Sequence, residues 1–217
     1  MNCPLTSPEG VVMGRTQKVL SSILAETNNF VLWQRGLSSF LEGWASDLKW
    51  NKILPLEANL GIQDLDQFES DLLSEIKVWR TRSPDLNGWI ANDVRSIVEE
   101  FIQATNANEV YLSFSVVETD MCRLFHTDKN KLRLLCTYVG QGTLWLSNSN
   151  VGREHLGRGI NRDIVLDPLE VFQAQKLDVL ILKGETWPNN VLGGAVHRSP
   201  PLTVGEKRLL LKIDFVS

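Results

Sequence analysis

The spacing of apolar residues changes near residue 107, from a helical period to a strand period. Across residues 64–79, for example, apolar side chains recur every three or four positions, which is the spacing of one face of an α-helix. Across residues 111–117 they alternate with their neighbours, which is typical of a strand with two different faces. The chain therefore has to build both helices and sheet, and each must bury an apolar surface.

The helical period predicts four helical segments in the first part of the chain, with a short extended segment at residues 30–33. The predicted helical segments are residues 16–24, 37–48, 64–79 and 84–101. Pro84-Asp85 separates the last two, because proline starts a helix more readily than it continues one.

The strand period predicts eight short strands in the second part, at residues 111–117, 121–126, 131–139, 143–147, 162–166, 178–183, 193–198 and 207–216. Gly140-Gln141-Gly142 between two of them predicts a hairpin turn. The polar segment 148–161 predicts a loop. Short strands in succession favour a β-sandwich or jelly roll over a βαβ unit. We expect an α+β fold, with a helical region (1–107) packed on a cupin-like double-stranded β-helix (108–217).

Charge and composition narrow the possible functions. A net charge of −4 argues against a nucleic-acid binder, because phosphate contacts need clustered Lys and Arg. No apolar run approaches the roughly 20 residues that span a bilayer, and the first 15 residues lack a signal-peptide core. Three cysteines are too few for a disulfide framework. We expect a cytoplasmic protein without nucleic-acid or membrane partners.

A possible metal site comprises His126, Asp128 and His197. Residues two apart in a strand share a face, so His126 and Asp128 can point at one ion. His197 lies in a later predicted strand that a jelly roll can bring alongside. Two imidazoles and one carboxylate leave three coordination positions open, as non-haem Fe(II) oxygenases require for a cosubstrate and O₂. The alternative is coincidence, with each histidine hydrogen-bonded as part of the structure.

The cysteines offer a second metal hypothesis. Cys122 precedes His126 by four positions, and thiolate with imidazole would favour Zn(II). Four residues of strand span about 13 Å, however, which is too far for one ion unless the chain bends. We expect Cys122 and Cys136 to be buried free thiols.

Residues 126–146 resemble the core of Fe(II)/2-oxoglutarate-dependent dioxygenases of the prolyl hydroxylase type, with His-x-Asp followed by an Arg and a Tyr at a strand end. Residues 195–215 resemble the end of these enzymes, with the distal His and an Arg in the last strand. Most of the chain also resembles an uncharacterised bacterial family that shares the strings FHTD, RLLCTY and AVHRSPP.

The dioxygenase resemblance implies that His126, Asp128 and His197 bind Fe(II) and that Arg208 and Tyr138 bind 2-oxoglutarate. A guanidinium fork suits the distal carboxylate of that cosubstrate. The alternatives are a surface ion pair of Arg208 with Glu206 or Asp214, and core packing of Tyr138. These enzymes often have Ser or Thr two residues after the Arg, where this chain has Leu210.

The same resemblance places the substrate entrance at the long loop. Its candidate residues are Arg153, His155, Arg158, Trp145 and Trp187. A basic loop attracts anions, but a solvated loop and buried tryptophans are the ordinary alternatives.

Three functions remain open at this point. The first is an oxygenase that hydroxylates or demethylates a small-molecule or peptide substrate. The second is a non-catalytic protein that holds Zn(II) or another divalent ion in metal homeostasis. The third is a metal-free jelly roll for protein contacts. A homodimer is compatible with each.

Overall fold

The computed structural model describes residues 8–37, 41, 44–79, 84–119 and 122–217. In these ranges the chain forms ten strands, two long α-helices and one short α-helix. The strands are β1 (Val11–Gly14), β2 (Phe30–Trp33), β3 (Leu56–Leu60), β4 (Val110–Val117), β5 (Leu132–Val139), β6 (Leu144–Trp145), β7 (Phe172–Gln173), β8 (Val179–Lys183), β9 (His197–Arg198) and β10 (Arg208–Phe215). The helices are α1 (Leu65–Trp79), α2 (Pro84–Thr105) and α3 (Asn161–Ile164). Short 3₁₀ turns connect them, at Gln17–Leu24, Trp44–Asp47, Trp50–Lys52, Ile62–Asp64, Asn148–Asn150, Arg153–His155 and Pro168–Glu170.

The strands form one large and one small sheet. The large sheet has seven strands in the order β1-β2-β8-β5-β10-β4-β3, and the small sheet has three in the order β7-β6-β9. The pairing of β1 with β2 is parallel and the other pairings are antiparallel. Because β10 lies between β4 and β5, the last strand occupies an interior position of the large sheet, the fifth of seven.

The two long helices cover one face of the large sheet. The apolar stripe of α1 is buried along its length, as its period requires. Trp79 at the end of α1 packs on Phe114 of β4, with ring centroids 5.7 Å apart. Helix α2 ends where Asn106 adopts a left-handed conformation (φ 55°), which lets the chain turn into β4.

The two faces of the large sheet have different roles. Leu209, Leu211 and Ile213 of β10 belong to the main core under the helices. The alternate residues Arg208, Leu210 and Lys212 line a cavity on the opposite face. Strand alternation therefore separates the core residues of β10 from the residues that meet this cavity.

The second half of the chain passes repeatedly between the two sheets. It runs from β4 in the large sheet to a bridge at His126 beside the small sheet, then to β5 in the large sheet and β6 in the small one. Later β7, β8, β9 and β10 belong to the small, large, small and large sheets. This alternation brings segments that are distant in sequence to one end of the molecule.

The predicted mixture of helices and sheet is confirmed, and α1, α2, β4, β5, β8 and β10 lie close to their predicted ranges. Part of the predicted helix at residues 37–48 lies outside the described residues. The expected helical character of residues 1–107 needs correction, because β1, β2 and β3 join the large sheet. The division at residue 107 stays a prediction.

Three further predictions about strands were wrong. Residues 162–166 form most of α3 and a single bridge instead of a strand. The predicted strand at residues 121–126 is not formed by the described residues of that range, which make a β-bridge only at His126. The turn at Gly140–Gly142 is not a hairpin, because β5 and β6 belong to different sheets. Gly142 is required there, since a Cβ would lie 2.1 Å from the carbonyl oxygen of Ala174.

Among the described residues, no helix is both long enough and apolar enough to cross a lipid bilayer.

Candidate metal centre

The backbone brings His126 and His197 side by side. The two residues form an antiparallel bridge, and each amide nitrogen donates to the other residue's carbonyl oxygen at 3.0 Å. Strand β6 pairs with β9 on its other side, so His197 is held from both edges. Asp128 follows His126 at the spacing that puts both side chains on one face. The three predicted ligands are therefore adjacent.

Both imidazoles are oriented by backbone carbonyls. Nδ1 of His126 lies 3.0 Å from the Leu124 carbonyl oxygen, and Nδ1 of His197 lies 3.2 Å from that of Ala195. A carbonyl can only accept, so Nδ1 carries the proton in each ring. This tautomer leaves both Nε2 atoms with a lone pair for a metal ion.

The three side chains converge on one point. His126 Nε2 lies 3.7 Å from Asp128 Oδ1, and His197 Nε2 lies 3.5 Å from Asp128 Oδ2. The candidate ligand atoms of the three residues all lie within 4.8 Å of one another. Ligands at about 2.0–2.2 Å from one divalent ion are separated by about 3.0–3.5 Å. The site needs only a small contraction to hold such an ion.

Arg133 fixes the position of the carboxylate. Its Nη1 lies 2.8 Å from Asp128 Oδ2, and its Nε and Nη2 donate to the two oxygens of Asp214 at 2.7 and 2.9 Å. Asn130 also donates to Asp214, at 2.8 Å. The contact between Arg133 and Asp128 lacks hydrogen-bond geometry, and Asp128 Oδ2 accepts no hydrogen bond from the described residues. A buried oxygen with a free lone pair fits a metal ligand.

The environment keeps His197 neutral. Its burial lowers the pKa to about 4, although Asp128 acts in the opposite direction by favouring the charged ring. A neutral imidazole is the form that binds metal. The donor set, the tautomers and the charge state all fit one divalent cation.

The triad forms part of a cavity of about 240 Å³ between the two sheets. Three lining residues come from β10, namely Arg208, Leu210 and Lys212, and Ser113 and Ser115 come from β4. The cavity therefore extends from the metal ligands along the inner face of the large sheet.

Arg208 is a buried cation in this cavity, with 1% of its surface exposed. Its Nη2 donates to the hydroxyls of Thr137 and Thr143, at 3.0 and 3.4 Å, and its Nε has no partner among the described residues. Burial lowers its pKa to about 10. The alternative, an ion pair of Arg208 with Glu206 or Asp214, does not form. Glu206 accepts a hydrogen bond from the backbone amide of Thr203, and Asp214 pairs with Arg133. Such a guanidinium is suited to an anionic ligand.

Tyr138 does not reach the cavity, which corrects its predicted contact with a cosubstrate. Its hydroxyl donates to Asp93 of α2 at 2.6 Å, and its ring packs on Phe114 with centroids 5.1 Å apart. Arg35 also donates to Asp93, at 3.0 Å. Tyr138 thus belongs to the core under the helices, on the opposite face of the sheet from Arg208.

Tyr138→Phe is expected to lower the free energy of unfolding by about 1.5–3 kcal/mol, because a buried hydrogen bond to a carboxylate is lost. Urea unfolding measures this effect. If 2-oxoglutarate binds in the cavity, its affinity, measured by calorimetry under the same conditions, is expected to be the same for Tyr138→Phe as for the wild type. A tenfold loss of 2-oxoglutarate affinity in the folded variant would contradict the placement of Tyr138 outside the cavity.

The five residues predicted at a substrate entrance are not among those that line this cavity. Trp145 is buried between Phe30 and Phe172, with centroids 4.2 and 4.4 Å away, and Trp187 packs on Phe215. Arg153 donates to Asn148 and to the Gly194 carbonyl, at 2.7 and 3.2 Å. His155 and Arg158 are exposed. Both tryptophans therefore pack against other aromatic rings and do not line the cavity.

The two described cysteines lie apart. Cys122 is exposed and lines the cavity, whereas Cys136 is buried in the core under the helices, where burial raises its pKa. Both are free thiols, as expected, but the prediction that both are buried was wrong for Cys122. Neither lies in the cluster of possible metal ligands among the described residues.

Arg133 and Lys212 also line this cavity and were not predicted as residues of the site. The Arg in the string RLLCTY was noted only as a point of resemblance. Lys212 lies two residues after Leu210, so strand alternation from Arg208 could have placed it on the cavity face.

Comparisons with known proteins give the following matches. The rice dioxygenase for auxin oxidation has a TM-score of 0.46 at 11% identity, covering 95% of this chain and 82% of that one. The Fe(II)/α-ketoglutarate-dependent dioxygenase TqaL gives 0.45 at 13%, covering 91% and 84%. A Pseudomonas putida prolyl-4-hydroxylase gives 0.41 at 10%, covering 92% and 98%.

Comparison with curated proteins gives no match. Residues 14–214 match the family model described as "Protein of unknown function (DUF1826)". This match covers nearly the whole chain, and it agrees with the resemblance to an uncharacterised family that the sequence indicated. The chain belongs to the DUF1826 family.

Proposed function

We propose that this protein is an oxygenase that depends on Fe(II) and 2-oxoglutarate. In this proposal His126, Asp128 and His197 bind the iron. One observation carries it: a cluster of two Nε2 atoms and a carboxylate shares a cavity with a buried, uncompensated guanidinium. A metal site alone is compatible with many functions. A metal site and a buried guanidinium in the same cavity suit a ligand that binds the metal at one end and carries an anionic group at the other.

The donor set supports iron over zinc. Two imidazoles and one carboxylate on one side of an ion leave several coordination positions for small molecules, as in non-haem Fe(II) oxygenases. Structural zinc sites are usually closed by four protein ligands, often including thiolates. Bound iron with 2-oxoglutarate would supply the oxidising power for attack on an unreactive C–H bond, with O₂ as the oxidant.

The protein's own contribution is to orient and to exclude water. Arg208 would receive the distal carboxylate of 2-oxoglutarate through donors that the two threonine hydroxyls leave free, such as Nε. Leu210 stands where related enzymes have a hydroxyl, but Thr137 and Thr143 already supply hydroxyls beside Arg208. Arg133 would hold the Asp128 carboxylate in one orientation. Leu135 and Leu210 make part of the cavity apolar.

We propose also that residues 108–217 form a double-stranded β-helix with the helical region packed outside it. The alternation of strands between the two sheets and the interior position of β10 support this arrangement. A small-molecule or peptide substrate and a cytoplasmic location complete the proposal.

The alternative is a non-catalytic protein that stores or delivers Zn(II). The same triad would serve it, and Leu210 is compatible with it. A storage protein has no use for a buried cation at the far end of the cavity, however. The free energy that burial of Arg208 costs therefore favours the oxygenase.

The expected result for the iron-loaded protein is release of succinate from 2-oxoglutarate in the presence of O₂, at a slow uncoupled rate without substrate. Succinate is measured by chromatography with mass detection after anaerobic loading with Fe(II). Protein loaded with Zn(II) is the control, because zinc has no redox chemistry. Full iron occupancy and 2-oxoglutarate binding without any succinate, even with a panel of candidate substrates, would contradict the proposal.

A further inference from the structure

Lys212 is a second cation in the cavity that the proposed function does not use. It lies in the middle of β10, between Ser113 of β4 and Leu135 of β5, and its side chain is half-buried. All three residues line the cavity that contains the triad. Among the described residues, Lys212 forms no hydrogen bond, ion pair or cation–π contact.

The other cations of the cavity differ from Lys212. Arg133 is neutralised by Asp128 and Asp214. Arg208 lies four residues before Lys212 on the same face, about 13 Å away along the strand, with Leu210 between them. Two cations at this spacing are suited to two separate anionic groups better than to one.

The charge of the cavity supports a second anion. Among the described residues, Arg208 and Lys212 are lining cations without a carboxylate partner, whereas Asp128 and Asp214 offset the charge of Arg133. A divalent metal would add further positive charge. A dicarboxylate alone would therefore leave the cavity positive, and a positive, partly dehydrated cavity attracts anions.

We propose that Lys212 binds an anionic group beside the metal ligands, of the carboxylate or phosphate type, in addition to the one at Arg208. The group comes either from the metal-proximal carboxylate of the 2-oxo acid or from the substrate itself. Naming these two sources rests on the proposed function. The anion site rests only on the unpaired cation in the cavity.

The test compares the wild type with Lys212→Met, which removes the charge and keeps the length of the side chain. Both proteins are loaded with Mn(II) as a stand-in for Fe(II) that does not support oxidation. The first arm titrates 2-oxopentanoate, which keeps the carboxylate next to the oxo group and lacks the distal one. The second arm titrates inorganic phosphate into protein saturated with 2-oxoglutarate, and it is repeated on metal-free protein.

A cosubstrate contact predicts that Lys212→Met binds 2-oxopentanoate about tenfold to a hundredfold more weakly, as expected for a lost charge-assisted hydrogen bond. A substrate contact predicts unchanged 2-oxopentanoate binding and a similar loss in the phosphate arm. Lys212→Arg, which keeps the charge, is expected to restore most of the affinity in either arm. Calorimetry provides the readout in both arms, and activity is not needed.

Lys77→Met on α1 is the matched control, because Lys77 is exposed and far from the cavity in sequence and fold. Thermal unfolding checks that each variant is folded. Equal affinity of wild type and Lys212→Met in both arms would overturn the anion site. Failure of the wild type to bind Mn(II) would instead overturn the proposed function, and the metal-free phosphate arm would still test Lys212.

Discussion

His197→Ala is expected to abolish tight binding of a divalent metal. The loss should exceed the 10- to 100-fold effect that is typical for partners one shell removed from the metal, because a direct ligand is deleted. His197 contributes the more rigid of the two imidazoles: β9 pairs with β6 on one side and with His126 on the other. A water molecule can occupy the vacated position but cannot reproduce the orientation of the ring.

Metal content after dialysis against Fe(II) or Zn(II), measured by plasma mass spectrometry, checks this prediction. His155→Ala is the matched control, because His155 is the third histidine of the chain and is exposed outside the cavity. Circular dichroism verifies that the buried His197 can be truncated without unfolding. Wild-type metal content in folded His197→Ala would mean that the three side chains are not a metal site.

Arg208→Met is expected to reduce the affinity for 2-oxoglutarate at least tenfold to a hundredfold and to leave the unliganded protein as stable or more stable. The reason is that Arg208 is a buried charge without a carboxylate partner among the described residues. Replacing a buried ion pair by apolar side chains of similar volume is often neutral or stabilising, by about 1–4 kcal/mol, and Arg208 lacks even the carboxylate that would offset its desolvation. Each kcal/mol corresponds to about 2–4 °C in Tm for a chain of this length.

The opposite signs of these two effects make the experiment decisive. An arginine retained for packing or hydrogen bonding would lower Tm when replaced, whereas an arginine retained for a ligand would not. Calorimetric titration and thermal unfolding of the Arg208→Met variant supply both numbers. The control is Arg158→Met, at an exposed position outside the cavity. It is expected to change neither the 2-oxoglutarate affinity nor the Tm. A lower Tm with unchanged 2-oxoglutarate affinity would contradict the role of Arg208.

The long elements could be read from local patterns. Helix α1 has a regular apolar stripe, and β4 and β10 alternate apolar residues with others over eight positions. These patterns predict element type because one face of each is buried and the other differs from it. The strands β6, β7 and β9 have two residues each, which is too short for any periodic signal.

The early strands β1, β2 and β3 show the limit of local patterns. β2 was recognised as extended, but nothing in its four residues indicates that it pairs with both β1 and β8. Sheet membership depends on partners that are distant in sequence, and those partners are chosen when the whole core packs. The prediction of a helical first region with one short extended segment therefore missed that three of its segments join the large sheet.

The sequence alone determined the kinds of the long elements and indicated the three residues that meet at the candidate metal centre. A spacing of two carries that information locally for His126 and Asp128, whereas His197 was added from its place in a later predicted strand. The tertiary structure decided which face of each strand meets the cavity. Strand β5 is buried on both faces, so its continuous apolar run gave no sign that Tyr138 belongs to the core and Thr137 to Arg208. The burial of Arg208 likewise follows from the neighbours that the folded sheets supply. The same is true of the lack of a partner for Lys212 among the described residues, and no local pattern contains either property.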